Sequence, residues 1–162
     1  MTFVGKNLFV LTGAGVSAES GLSTFRSEGG LWRDYRPEEV ANIAAWRRDP
    51  RLVWEFYSWR RECLNKAKPN PAHFALAAIE QKLGDGFFLC TQNVDNLHEH
   101  AGSQRIAHIH GTLFESKCDN CMRSPFADMS IYAADTALPQ CGTCGHGTIR
   151  PNVVWFGEAT RA

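Results

Sequence analysis

The stretch that decides the fold is residues 6–21, KNLFVLTGAGVSAESG. Its first half is rich in strand formers, and its second half is a glycine-rich turn that leads into a helix. Gly13, Gly15 and Ala18 fit the spacing G-x-G-x-x-G/A, in which small residues let backbone N–H groups approach a pyrophosphate. The stretch therefore predicts the first strand, turn and helix of a nucleotide-binding α/β fold. A tight turn without a ligand is the alternative, because residues 25–32 indicate a loop where the usual fingerprint has a second strand.

The composition is that of a globular protein with no charge bias. The chain has 162 residues, 17 Lys+Arg, 17 Asp+Glu and 44% hydrophobic residues. This length suits a single domain, or a domain with an insertion. The neutral balance indicates neither a nucleic-acid nor a membrane partner, and no apolar run is long enough to span a bilayer. The N-terminus lacks a signal-peptide pattern, so we expect a cytoplasmic protein.

Four of the six cysteines form two C-x-x-C pairs, Cys118/Cys121 and Cys141/Cys144. Two such pairs on tight turns supply the four thiolates of a tetrahedral Zn²⁺ site. A redox dithiol needs only one pair, and disulfides are disfavoured without a secretory signal. We therefore predict a structural zinc.

The segment from residue 37 to residue 83 predicts three helices. The first runs from Pro37 to Arg48, the second begins after the cap residue Asp49, and the third lies between the cap Asn70 and the terminator Gly84. In the second helix two neighbouring stripes recur at spacings of three and four residues. We predict that the first stripe lies in the core: Leu52, Phe56, Trp59 and Cys63. The second stripe lies beside it: Val53, Tyr57, Arg60 and Leu64.

The second stripe brings Tyr57 and Arg60 to one helix face. A phenol beside a guanidinium can hold a carboxylate by a charge-assisted pair and a hydroxyl hydrogen bond. From the residues alone, a packed helix edge is the simpler interpretation.

Polar residues follow the next predicted strand, residues 87–91, at its carboxyl end. Gln92, Asn93 and Asp95 come directly after it. In open α/β sheets ligands bind outside the carboxyl ends of the strands, so these residues are predicted to build a cofactor site. The alternative is that Asn93 or Asp95 caps the following helix, which ends near Gly102.

A third short strand, residues 106–109, is followed by His110 and Gly111. A histidine at such a strand end is a general-base candidate, because its pKa lies near physiological pH. The other histidines of the central segments lack this placement and are expected to be surface or packing residues: His73, His98, His100 and His108.

These motifs, in this order and spacing, resemble the sirtuins, a family of NAD-dependent protein lysine deacylases. The resemblance spans nearly the whole chain. It rests on residues 13–21 (GAGVSAESG), 24–26 (TFR), 91–95 (TQNVD), 110–111 (HG), the two C-x-x-C pairs and 153–158 (VVWFGE). Residues 54–60 (WEFYSWR) resemble the subgroup, including mitochondrial desuccinylases and many bacterial members, that carries a Tyr-x-x-Arg pair for acidic acyl groups.

The resemblance implies a Rossmann-like parallel-sheet domain over residues 1–162, with an inserted small domain. That insert would comprise a helical module (37–83) and a zinc module (118–144). The implied activity is NAD-dependent removal of acetyl, succinyl or malonyl groups from protein lysine, releasing nicotinamide and O-acyl-ADP-ribose. A zinc-stabilised NAD- or ADP-ribose-binding module without turnover, and a protein ADP-ribosyltransferase, are the alternatives.

The resemblance also implies residue roles. His110 would be the catalytic base, and Asn93 would contact the ribose or an ordered water. The implied NAD contacts are Gly13, Ala14, Gly15, Ser17, Phe25, Arg26, Trp32, Gln92, Asn93 and Asp95. The acylated lysine peptide would add as a strand beside residues 153–158, whose own alternating pattern also predicts a strand. Its implied contacts are Val154, Phe156, Gly157, Tyr57 and Arg60. The structural zinc would be held by Cys118, Cys121, Cys141 and Cys144.

Family members continue past this point with a Gly-Thr-Ser turn and an Asn-bearing loop that hold the adenosine half of NAD, and neither motif occurs here. About three parallel strands can be found, near Leu8, Phe87 and Ile106, where a doubly wound fold needs about six. We therefore expect the second half of the fold to be missing. Self-association through the incomplete sheet and NAD binding at least about tenfold weaker than in a full-length relative would follow.

Overall fold

A three-stranded parallel sheet forms the first unit of the protein. The structure, a computed structural model, describes residues 7–22, 35–132 and 136–158. Strands β1 (Leu8–Thr12), β2 (Phe87–Thr91) and β3 (Ile106–His108) lie side by side in the order β1-β2-β3. The predicted parallel sheet and its three strands are thus confirmed.

The register of the sheet brings the carboxyl ends of its strands level. Thr12 pairs with Thr91, and Thr91 pairs with His108. Everything that follows these three residues in the chain therefore emerges at one edge of the sheet.

After β1 the chain forms a 3-10 helix over Ala14–Ser20, a tighter element than the α-helix of a usual dinucleotide-binding turn. The helix ends at Gly21, whose φ of 84° lies in the left-handed region that favours glycine. The segment stays short, and it places Ser17 inward, 2% exposed.

The predicted helix from Pro37 to Arg48 is wrong in one respect, because it is two helices. Helix α1 covers Pro37–Val40 and α2 covers Ile43–Arg48. Between them Asn42 pairs in a β-bridge with Phe156, and its side chain accepts a hydrogen bond from the Ala45 N–H at 2.7 Å. A contact with a segment over a hundred residues away breaks the helix, so local sequence did not reveal it.

Helices α3 (Pro50–Lys66) and α4 (Pro71–Leu83) agree with the prediction. The Asp49 carboxylate accepts hydrogen bonds from the Arg51 and Leu52 N–H groups, each at 3.1 Å. Asn70 caps α4 through the Ala72 N–H. A short helix α5 covers Leu97–His100.

The predicted core stripe of α3 is only partly right. Phe56 is buried, whereas Leu52, Trp59 and Cys63 are partly buried. Helix α3 packs on two sides, so its buried arc is wider than one stripe and includes Trp54 and Arg61, which the periodicity missed. The Trp54 indole N–H donates to the Ile149 carbonyl at 2.8 Å, which fixes the helix to the second sheet.

The second sheet is antiparallel, with strands β4 (Gly111–Cys118), β5 (Phe126–Ala127) and β6 (Ile149–Val153) in the order β5-β4-β6. At Gly111 a Cβ would lie 2.0 Å from the Asn152 carbonyl oxygen, and φ is +74°. Only glycine allows β4 to approach β6 this closely directly after His110.

The strand predicted over residues 153–158 is wrong, because β6 ends at Val153. Beyond it the Val154 N–H donates to the His110 carbonyl at 2.9 Å, and the Phe156 N–H donates to the Ala41 carbonyl at 3.1 Å. These contacts with two different loops turn the backbone away from the sheet.

The Arg61 guanidinium is the main polar contact between α3 and the second sheet. Its side chain is fully buried and forms an ion pair with Asp128 at 3.4 Å. It also donates to the Leu113 carbonyl at 2.9 Å and to the Ser130 carbonyl at 2.7 Å. Loss of this group would leave a buried carboxylate without its counter-charge.

Replacing Arg61 by Met should therefore lower the free energy of unfolding by about 3–5 kcal/mol, as expected for breaking a buried ion pair on one side. Denaturant unfolding measures this change. The matched control is Arg47→Met, at an exposed position of α2, which should stay within about 0.5 kcal/mol of the parent. Equal stability of the Arg61 and Arg47 variants would contradict the structural role of Arg61.

Candidate functional site

The site begins where the three parallel strands end. The Thr12 hydroxyl donates to the Thr91 hydroxyl at 2.9 Å, and the Gln92 N–H donates to the Thr12 carbonyl at 2.9 Å. These bonds hold the ends of β1 and β2 together. Residues 92–95 and the turn after Gly13 consequently face each other across the sheet edge.

A buried polar cluster of Ser17, Asn93 and Asp95 occupies this edge. Ser17 Oγ donates to Asp95 Oδ2 at 2.9 Å and accepts from Asn93 Nδ2 at 3.1 Å. All three residues are buried. The structure thus brings together three residues that the sequence predicted as one site.

Asp95 also serves the local structure. Its Oδ1 accepts a hydrogen bond from the Leu97 N–H, the first residue of α5, at 3.1 Å. The two interpretations of this residue are therefore compatible, because one carboxylate oxygen supports the helix and the other faces the cluster.

Two histidines that the sequence predicted as surface or packing residues complete the cluster. Their contacts with Ser17 and Thr12 were not predicted. His73 and His98 are buried, with ring centroids 4.7 Å apart. The Asn70 N–H donates to His73 Nδ1, so His73 Nε2 carries the proton and faces Ser17 Oγ at 3.5 Å. His98 Nε2 lies 3.0 Å from the Thr12 hydroxyl.

Burial, with a smaller effect of the neighbouring His73, lowers the pKa of His98 to about 4. This imidazole is therefore neutral at neutral pH. For these two buried histidines, the sequence offered one indication of a structural role: His73 lies three residues after the cap residue Asn70.

His110 stands at the crossing from β3 to β4. Its Nδ1 lies 3.1 Å from the Gln92 carbonyl oxygen, which can only accept a hydrogen bond. In the neutral ring, Nδ1 therefore carries the proton and Nε2 presents a lone pair. The Gln92 side chain itself is exposed.

His108 is not a simple surface residue. Its Nδ1 bonds the Asn93 carbonyl at 2.9 Å and its Nε2 bonds the Glu99 carboxylate at 2.6 Å. Burial alone would lower the pKa of His108, but the Glu99 and Asn93 hydrogen bonds raise it on balance. The resulting ion pair fixes the backbone carbonyl of Asn93 from outside the cluster.

Tyr57 and Arg60 lie on one face of α3, beside this cluster. Burial raises the pKa of Tyr57 to about 12, and its phenol oxygen accepts a hydrogen bond from the Trp155 indole at 2.9 Å. Burial lowers the pKa of Arg60, while the charges of Tyr57, Cys63 and Asp95 oppose that shift. The charge of Asp95 therefore acts on Arg60.

The remaining predicted residues fall in three places. Gly13, Ala14 and Gly15 form the turn facing Gln92, with Gln92 Nε2 3.5 Å from where a Gly13 Cβ would be. Val154 contacts His110 through its backbone, whereas Phe156 and Gly157 are exposed. The predicted contacts at three loop positions lie outside the described residues: Phe25, Arg26 and Trp32.

The four paired cysteines form a separate cluster. Their sulfur atoms all lie within 4.8 Å of one another, and the Cys118–Cys144 and Cys121–Cys141 sulfur distances are 3.8 Å. Tetrahedral Zn²⁺ with Zn–S bonds of about 2.3 Å requires sulfurs about 3.8 Å apart. The donor set therefore fits Zn²⁺ in a closed, structural site.

Backbone N–H groups support thiolates in this cluster. Those of Cys144 and Thr143 lower the pKa of Cys141 to about 6. The Gly147 N–H donates to Cys144 Sγ at 3.3 Å, and a Cβ at Gly147 would lie 2.3 Å from Cys118 Sγ. The backbone thus closes around the sulfurs.

Fold and site together define an α/β protein with a polar site at the carboxyl edge of a parallel sheet and a separate tetracysteine metal module. The Sir2 family model matches residues 13–162. This chain therefore belongs to the Sir2 family.

Individual relatives agree. A Pyrococcus furiosus protein named NAD-dependent protein deacylase is 51% identical over 151 residues, which cover 91% of this chain and 60% of that protein. An Archaeoglobus fulgidus protein named NAD-dependent protein deacylase 1 is 50% identical over 153 residues, covering 94% and 61%. A solved structure of a Sir2 homologue in complex with NAD superposes with a TM-score of 0.82 at 49% identity, covering 94% of this chain and 59% of that one.

The chain thus spans about 60% of the length of these curated relatives. None of the helices in the described ranges is long and apolar enough to cross a membrane.

One zinc ion per chain is expected by metal analysis of the purified protein. Cys141→Ser should lose the metal and unfold at lower temperature, because metal binding to such a site contributes folding free energy. Cys63→Ser, outside the cluster, should keep it. A metal-free protein with intact fold, or full zinc occupancy in Cys141→Ser, would contradict this assignment.

Proposed function

We propose that this protein takes part in NAD-dependent removal of acyl groups, including acetyl, succinyl and malonyl, from protein lysine. Nicotinamide and O-acyl-ADP-ribose would be the other products. The observation that carries the proposal is the meeting of His110, Asn93, Asp95 and Ser17 at one sheet edge. The names of the relatives, NAD-dependent protein deacylases, support it.

The Asp95 carboxylate fits the nicotinamide end of NAD. It accepts two hydrogen bonds, from Ser17 and from the Leu97 N–H, whereas a carboxylate has about four acceptor positions. Within residues 7–22, 35–132 and 136–158 it forms no salt bridge. Asp95 is thus able to bind the N–H groups of a carboxamide.

The glycine turn fits the phosphate side. A Cβ at Gly15 would meet no atom within 4 Å, so the backbone is open to a ligand there. Gly13, Ala14 and Gly15 would bind it, with Gln92 and Asn93 toward the ribose. When bound, NAD would supply an electrophilic ribose carbon for the acyl oxygen, with nicotinamide as the leaving group.

His110 is the proposed base. The Gln92 carbonyl holds the proton on Nδ1, so Nε2 would take a proton from a ribose hydroxyl. The Val154 N–H donates a hydrogen bond to the His110 backbone carbonyl, so the proposed peptide-binding segment lies next to the base. Val154, Phe156 and Gly157 would contact the acylated peptide there.

The acyl group would enter beside Tyr57 and Arg60. A guanidinium and a phenol together suit the carboxylate of a succinyl or malonyl group and leave a smaller acetyl group unpaired. The partner is therefore an acylated-lysine protein or peptide.

Changing His110 to Ala tests the role of the base. Deacylation of an acetyl-lysine peptide should fall about 10²–10⁴-fold, whereas NAD affinity should change little. Mass spectrometry of the products and calorimetry of NAD binding measure the two effects. His100→Ala, an exposed histidine at the end of α5, is the control and should retain activity. Undiminished turnover in His110→Ala would remove His110 from the mechanism.

A further inference from the structure

Trp155 lies in the motif VVWFGE but has no role in the function proposed above. It is buried, and its indole N–H donates to the Tyr57 phenol oxygen at 2.9 Å. This bond joins the segment after β6 to the helix face that carries the proposed acyl-binding pair.

Three contacts prevent the indole from turning. The Arg150 guanidinium carbon lies 3.5 Å from the centroid of the Trp155 ring, and the Trp46 ring is 5.5 Å away. The Trp155 backbone N–H donates to Glu158, which pairs with Arg150 at 2.9 Å. The direction of the indole N–H is therefore fixed by packing and by charge.

The Trp155 indole N–H determines which further hydrogen bonds the Tyr57 hydroxyl can form. With a pKa of about 12, caused mainly by burial, the phenol stays protonated at physiological pH. Its oxygen accepts from Trp155, so its own O–H must find another acceptor. In the described part of the chain no residue accepts that proton.

A carboxylate brought to this face would complete the arrangement. Arg60 follows Tyr57 by three residues, and its charge lowers the pKa of Tyr57 against the larger effect of burial. A phenol that already accepts an N–H hydrogen bond is polarised into a stronger donor. The O–H of Tyr57 and the guanidinium of Arg60 would then bind one carboxylate together.

We infer that Trp155 is a positioning residue for acidic acyl groups, acting by orienting the Tyr57 hydroxyl toward the acyl carboxylate. This inference rests on the proposed function of Tyr57 and Arg60. It predicts an effect on acyl preference that packing of Trp155 alone would not produce.

Trp155→Phe is the test, because it keeps an aromatic ring against Arg150 and Trp46 and removes the N–H. Calorimetry on the zinc-loaded protein with NAD compares a succinyl-lysine peptide with the matched acetyl-lysine peptide. The succinyl affinity should fall about three- to tenfold, the range for one hydrogen bond, and the acetyl affinity should change less than about twofold. The control is Trp46→Phe. The Trp46 indole N–H donates to Asp119 and not to Tyr57, so this variant should leave the ratio of succinyl to acetyl affinity unchanged.

A spectroscopic readout isolates the hydrogen bond from the packing. The indole N–H resonance of Trp155, assigned by its loss in Trp155→Phe, should move upfield in Tyr57→Phe while the Trp46 indole signal stays in place. An unmoved Trp155 signal would overturn the inference.

Tyr57→Phe separates this inference from the function beneath it. An equal loss of affinity for both peptides in Tyr57→Phe would overturn the proposed recognition of the acyl carboxylate itself. A selective succinyl loss in Tyr57→Phe together with an unchanged ratio in Trp155→Phe would overturn only the role of Trp155. In the Tyr57→Phe, Trp155→Phe double variant, the loss of succinyl-peptide affinity should not exceed that in Tyr57→Phe alone. Both changes act through the same Tyr57 hydroxyl.

Discussion

The arrangement of this protein depends on one buried guanidinium. Arg61 Nε donates to one acceptor and each of its terminal nitrogens to two, so all five N–H groups have a partner. Burying such a charge is costly unless it is paired and hydrogen-bonded throughout. The acceptors lie on β4 and on residues 128–130, and α3 therefore has a single position against the second sheet.

Strand β4, which accepts hydrogen bonds from Arg61, connects both functional parts of the protein. It begins at Gly111, next to the proposed base His110, and ends at Cys118, the first cysteine of the metal cluster. Helix α3, held by Arg61, carries Arg60 at the preceding position and Tyr57 about one turn earlier. The buried contacts of Arg61 thus relate the proposed acyl-binding face, the proposed base and the metal module to one another.

Local features were predictable from sequence, and features made by distant contacts were not. The caps Asp49 and Asn70 act on residues two or three positions away, so their pattern was sufficient. The break between α1 and α2 depends on Phe156. The burial of His73 and His98 arises where α4 and α5 meet the sheet edge, and the full burial of Arg61 contradicts the usual exposure of charged residues. The order of the motifs indicated Ser17, Asn93 and Asp95 as members of one site, and these three residues lie together in the structure. Their roles stay predictions.

NMR of the isotope-labelled protein during titration with NAD tests most directly whether the carboxyl edge of the parallel sheet is the cofactor site. Backbone amide signals of Asn93, Asp95 and His110 should shift in proportion to occupancy, and Asp95→Asn should weaken binding because an amide replaces the carboxylate acceptor. The cysteine cluster signals should stay in place. Shifts confined to other regions, or equal binding by Asp95→Asn, would contradict this assignment of the site.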